Sequence, residues 1–118
     1  MDRSTWIEHR RGDGELVGWF RPSGDGYVVV DLLGRDVSGE LSWLEAEETL
    51  DALGIGYLAD PYLLDREGEE PLRVRIVEVS TQRIVLKLDD FGAIGGPRYS
   101  YELPWPMPSE LRPLVRGT

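Results

Sequence analysis

From Leu72 to Asp89 apolar and polar residues alternate. Arg73, Arg75, Arg83 and Lys87 interleave with Val74, Ile76, Ile84, Leu86 and Leu88. A period of two is what a strand produces when one face meets a core and the other meets water. The run predicts an antiparallel hairpin, Leu72–Val79 with Gln82–Asp89, whose residues Ile84, Leu86 and Leu88 face inward. The alternation slips at Ile76-Val77, as a β-bulge would make it do. The turn at Ser80-Thr81 has no Gly or Asn, which favours a longer loop over a tight two-residue turn.

The N-terminal third shows the same period in shorter pieces. Thr5–Arg10, Glu15–Arg21 and Tyr27–Leu33 read as three strands, separated by Gly12-Asp13-Gly14 and by Pro22-Ser23-Gly24-Asp25-Gly26. Those turn signals are short enough for a meander. The third strand, YVVVDLL, is apolar enough to be covered on both faces. After a loop at Gly34–Glu40 the period changes to that of a helix, Trp43–Leu53. Ser42 is a good N-cap and Glu45 completes a capping box. Glu45, Glu47, Glu48 and Asp51 mark a wet face, and Gly54 suits the C-terminal turn.

Beyond the helix the signals weaken. In Tyr57–Asp65, Pro61 cannot donate a ladder hydrogen bond, so a strand here is an edge or is broken at Asp60. Arg66–Pro71 reads as an acidic loop, Phe91–Pro97 as a Gly-rich loop, and Arg98–Leu103 as a last strand with Tyr99 and Tyr101 on one face. Pro104–Pro108 reads as polyproline II, and Glu110–Thr118 as a frayed tail. The order is three strands, one helix, then three or four strands. One helix cannot cover both faces of a flat seven-stranded sheet. The expected fold is therefore a β-rich α+β domain, its antiparallel sheet strongly curled into a barrel or split into a sandwich, with the helix plugging one opening.

Length and composition narrow the class. A chain of 118 residues fits one domain, residues 1–118, with 104–118 as a Pro-rich C-terminal segment. A domain of this size buries about two-thirds of its unfolded surface. With no cysteine, disulfides, thiolate metal sites and a cysteine nucleophile are excluded. No apolar run reaches the length of a membrane span, and Asp2-Arg3-Ser4-Thr5 after Met1 is unlike a secretory leader, so a cytoplasmic protein is expected. The bases are twelve Arg and Lys87 against 22 acids, a net charge of −9. Arg forks can recognise phosphate, but these are scattered. That balance opposes nucleic acid and anionic membranes and suits a basic protein partner.

Few residues suggest chemistry. His9 is the only histidine, and Glu8, Asp13 and Glu15 lie near it in sequence. A lone histidine between Glu8 and Arg10 is more simply a half-exposed strand residue. Ser38 comes nearest a nucleophile elbow, in Asp36-Val37-Ser38-Gly39, but lacks the preceding glycine. The carboxylate pairs Asp89-Asp90 and Glu69-Glu70 read as solvated loop or strand-end residues. The acids at 65, 67, 69 and 70 lack the register of a calcium loop. Gly54-Ile55-Gly56 follows a helix rather than a strand, the wrong order for a nucleotide fingerprint. No metal or cofactor is expected.

The aromatic residues offer more. Trp6, Trp19, Trp43 and Trp105 are many for this length, and aromatic rings pack cores or anchor interfaces. Trp19, Trp43, Trp105, Tyr99 and Tyr101 are the candidate binding residues. The expectation is a non-catalytic protein- or peptide-binding module, in an inhibitor or immunity-like version if its acids neutralise a basic target. Its partner would be another protein or a second copy in a homodimer. The alternative is a small enzyme or carrier with a pocket inside a curled sheet, its mouth lined by Tyr27, Tyr99, Trp19 or Trp43.

Overall fold

A computed structural model describes residues 3–89 and 100–114. The strands are β1 (Ile7–Arg10), β2 (Leu16–Ser23), β3 (Gly26–Val30), β4 (Tyr62–Arg66), β5 (Glu69–Val79), β6 (Arg83–Leu88), β7 (Ser100–Pro104) and β8 (Leu111–Pro113). The helix is α1 (Trp43–Leu53), and a 3-10 turn follows at Gly56–Ala59. The strands form two antiparallel sheets, ordered β1-β2-β3 and β7-β6-β5-β4-β8. The chain divides into two compact units, Met1–Gly56 and Tyr57–Thr118. The class is β-rich α+β as expected; of the two expected forms, a barrel or a split sheet, the described strands form two separate sheets, neither of them closed or strongly curled. The five-stranded sheet ends on two short strands, and Pro104 and Pro113 lie at their ends, where a missing N–H stops a ladder.

In the first unit the predicted meander forms. Phe20 lies opposite Ile7 on one side and Val29 on the other. The register shifts where His9 meets Gly18 and Arg10 meets Leu16, leaving Val17 as the extra residue. That bulge lets Val17 join Phe20, Val29, Ala46 and Leu50 in one buried cluster under α1. The helix approaches closely because residue 18 is glycine. A Cβ there would lie 2.5 Å from the Val30 carbonyl oxygen and 3.0 Å from both Leu50 methyls. The second turn is tighter than expected, since β2 runs on through Pro22 to pair Ser23 with Gly26. Gly24 takes the positive φ that such a turn needs.

The ends of α1 follow the predicted chemistry. The Glu45 amide donates to Ser42 Oγ at 3.2 Å and the Ser42 amide donates to Glu45 Oε1 at 3.3 Å. The Gly54 amide closes on the Leu50 carbonyl. The third strand stops at Val30 rather than Leu33. Its successor Asp31 is fully buried, and its carboxylate accepts from the amides of Leu33 and Arg35 and from Arg35 Nε at 2.8 Å. A side chain that takes backbone donors in this way ends a ladder and makes a turn.

In the second unit β5 and β6 pair as predicted, with the register shift falling between Ile76 and Glu78. Ile84 and Leu86 are fully buried with Val74, while Lys87 is exposed and Leu88 half-buried. The expected acidic loop shrinks to Glu67-Gly68, because Gly68 adopts a positive φ and lets β5 begin at Glu69. β4 starts directly after Pro61 and lies inside the sheet between β5 and β8. The expected frayed tail is corrected at Leu111–Pro113, where Leu111 is buried opposite Leu64. Residues 115–118 lie outside the described part. Nor is Pro104–Pro108 one polyproline II run, since Pro104 belongs to β7. No described helix is long and apolar enough to cross a membrane.

Candidate interaction surface

Helical spacing puts Trp43, Glu47 and Asp51 in one row along α1 and Leu44 and Glu48 in the row beside it. Ala46 and Leu50 point into the core, so these two rows form the flank that emerges from it. Trp43 remains 42% exposed and Leu44 63%. The Trp43 ring stands edge-on to Phe20 and Tyr27, with centroids 5.0 and 5.2 Å away. Those contacts fix the indole while leaving much of it in water. Ile7, opposite Phe20 on β1, is also exposed.

The acids of this flank differ in what holds them. Glu45 is engaged in the capping box. Asp51 accepts a hydrogen bond from His9 Nε2 at 2.8 Å, which ties β1 to the helix. The His9 ring also rests 5.1 Å from Phe20. The lone histidine is therefore a tether between two elements. Glu47 and Glu48 have no counter-ion among the described residues. No basic residue occurs from Asp36 to Asp65, a stretch holding eight acids. The imbalance is uneven along the chain. Residues 1–56 have five Arg against twelve acids, a net −7, while residues 57–118 have eight bases against ten acids, a net −2.

The other candidate residues are dispersed. Trp19 is 7% exposed and lies 6.0 Å from Trp6, so it is a core residue. Trp105 and Tyr101 are half-buried in the second unit, Tyr101 on β7 opposite Leu86. Tyr99 lies outside the described residues. Trp43 and Tyr27 are in contact, but with no closed sheet there is no barrel mouth for them to line. Ser38 Oγ accepts from the Val29 amide and donates to the Gly39 carbonyl, stitching its loop to β3.

The carboxylates of the second unit are mostly paired with Arg. Glu69 meets Arg66 at 2.9 Å and Asp65 meets Arg112 at 2.8 Å. The hydrogen bond from Arg112 holds the Asp65 carboxyl below its ordinary range. Asp89 was expected to be solvated, yet its side chain is only 2% exposed. It accepts from Arg75 Nε at 2.8 Å and Arg73 Nε at 2.7 Å. The bond from Arg75 is the main cause of its lowered pKa, with Arg73 adding to it against the effect of burial. Alternation on β5 puts both guanidinium groups on one face, and Asp89 at the end of β6 reaches both. No group of three or more His, Cys, Asp or Glu is placed to hold a metal ion among the described residues.

No family model, curated protein or solved structure matches the chain.

Proposed function

We propose that this chain is a non-catalytic protein- or peptide-binding module whose contact surface is the exposed flank of α1. The observation that carries this reading is the Trp43-Leu44 pair. Two large apolar side chains stand in water on a helix whose opposite side is firmly packed. Interface anchors have this form: an aromatic ring held rigid by its neighbours, so that little conformational entropy is lost on binding. Glu47, Glu48 and Asp51 on the same flank add negative charge beside the anchor, which favours partner choice and fast encounter.

Leu44→Glu tests the proposal without disturbing the core, because Leu44 is largely exposed. Wild-type and variant proteins, each confirmed to keep the helix by circular dichroism, would be used to capture partners from the host cell. A protein retained by wild type and lost with Leu44→Glu is expected. Identical capture by the two proteins would refute the surface.

A further inference from the structure

Resting on that reading, we infer that the flank of α1 takes a cationic protein segment, one that presents an aliphatic anchor followed by Arg or Lys side chains. The two rows of the flank share a polarity. Each begins with an apolar residue, Trp43 or Leu44, and continues one turn later with an acid, Glu47 or Glu48. Asp51 extends the first row by another turn. A partner segment must match that order, with its anchor over Trp43 and Leu44 and its positive charges toward the C-terminal end of the helix.

Charge decides between occupants. A neutral apolar partner would strip water from Glu47 and Glu48 and return no hydrogen bonds to them, a cost that carboxylates do not recover in an apolar contact. A second copy of this chain bound through the same face would set acid against acid, since a two-fold interface pairs a patch with itself. Arg satisfies both kinds of residue. Its fork pairs with a carboxylate and its flat face stacks on an indole.

The test is a calorimetric titration with a short arginine–leucine peptide, using the matching glutamate–leucine peptide as control. The full chain is compared with Glu47→Gln/Glu48→Gln and with Glu67→Gln/Glu70→Gln, which removes the same charge from the second unit. The arginine peptide should bind wild type, and the Glu47/Glu48 variant should weaken it about tenfold and flatten its salt dependence. The Glu67/Glu70 variant should bind like wild type, and the glutamate peptide should not bind. Equal losses in the two double variants would mean attraction to net charge alone, and the inference would fall. A cellular partner lost with Leu44→Glu but kept by Glu47→Gln/Glu48→Gln would overturn the cationic segment and leave the binding surface standing. A partner indifferent to both would overturn the two together.

Discussion

Asp89→Asn replaces one oxygen by an amide and keeps the shape of the side chain. The carboxylate holds Arg73 and Arg75 through their Nε groups at 2.7 and 2.8 Å. Asparagine can accept from only one of them, and its NH2 then faces the other as donor against donor. A hydrogen bond to a charged group contributes about 1.5–3 kcal/mol when sheltered. Both guanidinium groups are nearly half exposed, which reduces each pair toward the surface range of about 0–1 kcal/mol. The expected loss is therefore about 1–2 kcal/mol at neutral pH. Its pH dependence follows from the lowered pKa of Asp89. The contribution is present above the unfolded carboxylate value, about 3.9, and is lost as pH falls through the lower folded value. Urea denaturation followed by the NMR signals of β5 and β6 amides, at pH 7 and stepwise below about pH 4, measures both effects. A variant as stable as wild type at pH 7 would refute the argument. So would a deficit of unchanged size once the carboxylate of wild type is protonated.

Ser42→Ala removes the acceptor of the Glu45 amide and should cost about 1 kcal/mol in the first unit; a variant with wild-type urea midpoint would refute it. Leu86→Ala opens a cavity at a fully buried position between β5 and β7 and should cost about 2–5 kcal/mol; the same denaturation measures it, and a loss under about 1 kcal/mol would place Leu86 outside the core. A fluorescence titration at low salt should show no binding of duplex DNA or single-stranded RNA, because phosphate contacts supply most non-specific affinity and the chain is net −9. Micromolar binding that weakens steeply with salt would overturn that expectation.

Strong local chemistry made much of this fold legible. The capping box at Ser42 and Glu45, the alternation of β6 and the slipped register near Val77 each follow from nearest neighbours along the chain. What stayed hidden depends on residues far apart. Val17 enters the core only because β1 and β2 pair with a bulge. Asp89 is buried because β6 ends opposite Arg73. β8 exists because Leu111 finds Leu64, and three residues carry too little pattern to announce themselves. Which strands share a sheet, and in what order, is of the same kind, since strand order has no local signature. At the candidate surface, Trp43 stood out by type but not by exposure. Leu44 could be singled out because it lies off the stripe of Ala46 and Leu50. The run from Asp36 to Asp65 without a base was legible in the sequence as well.

The sheet borders bear on how this protein avoids sticking to itself. A bare strand border invites another chain to add to it and grow into aggregate. Here each border is short and charged, stopped by a proline, or already bridged. β1 is four residues long and carries Glu8 and Arg10. The outer side of β3 is occupied by the chain's own bridges from Asp36 and Leu41. β7 carries Glu102 and stops at a proline, and β8 is three residues ending Arg112-Pro113. Backbone ladders are thus poorly available for joining copies into a continuous sheet. Contacts made through side chains, unlike a shared backbone ladder, let charge and shape discriminate between partners.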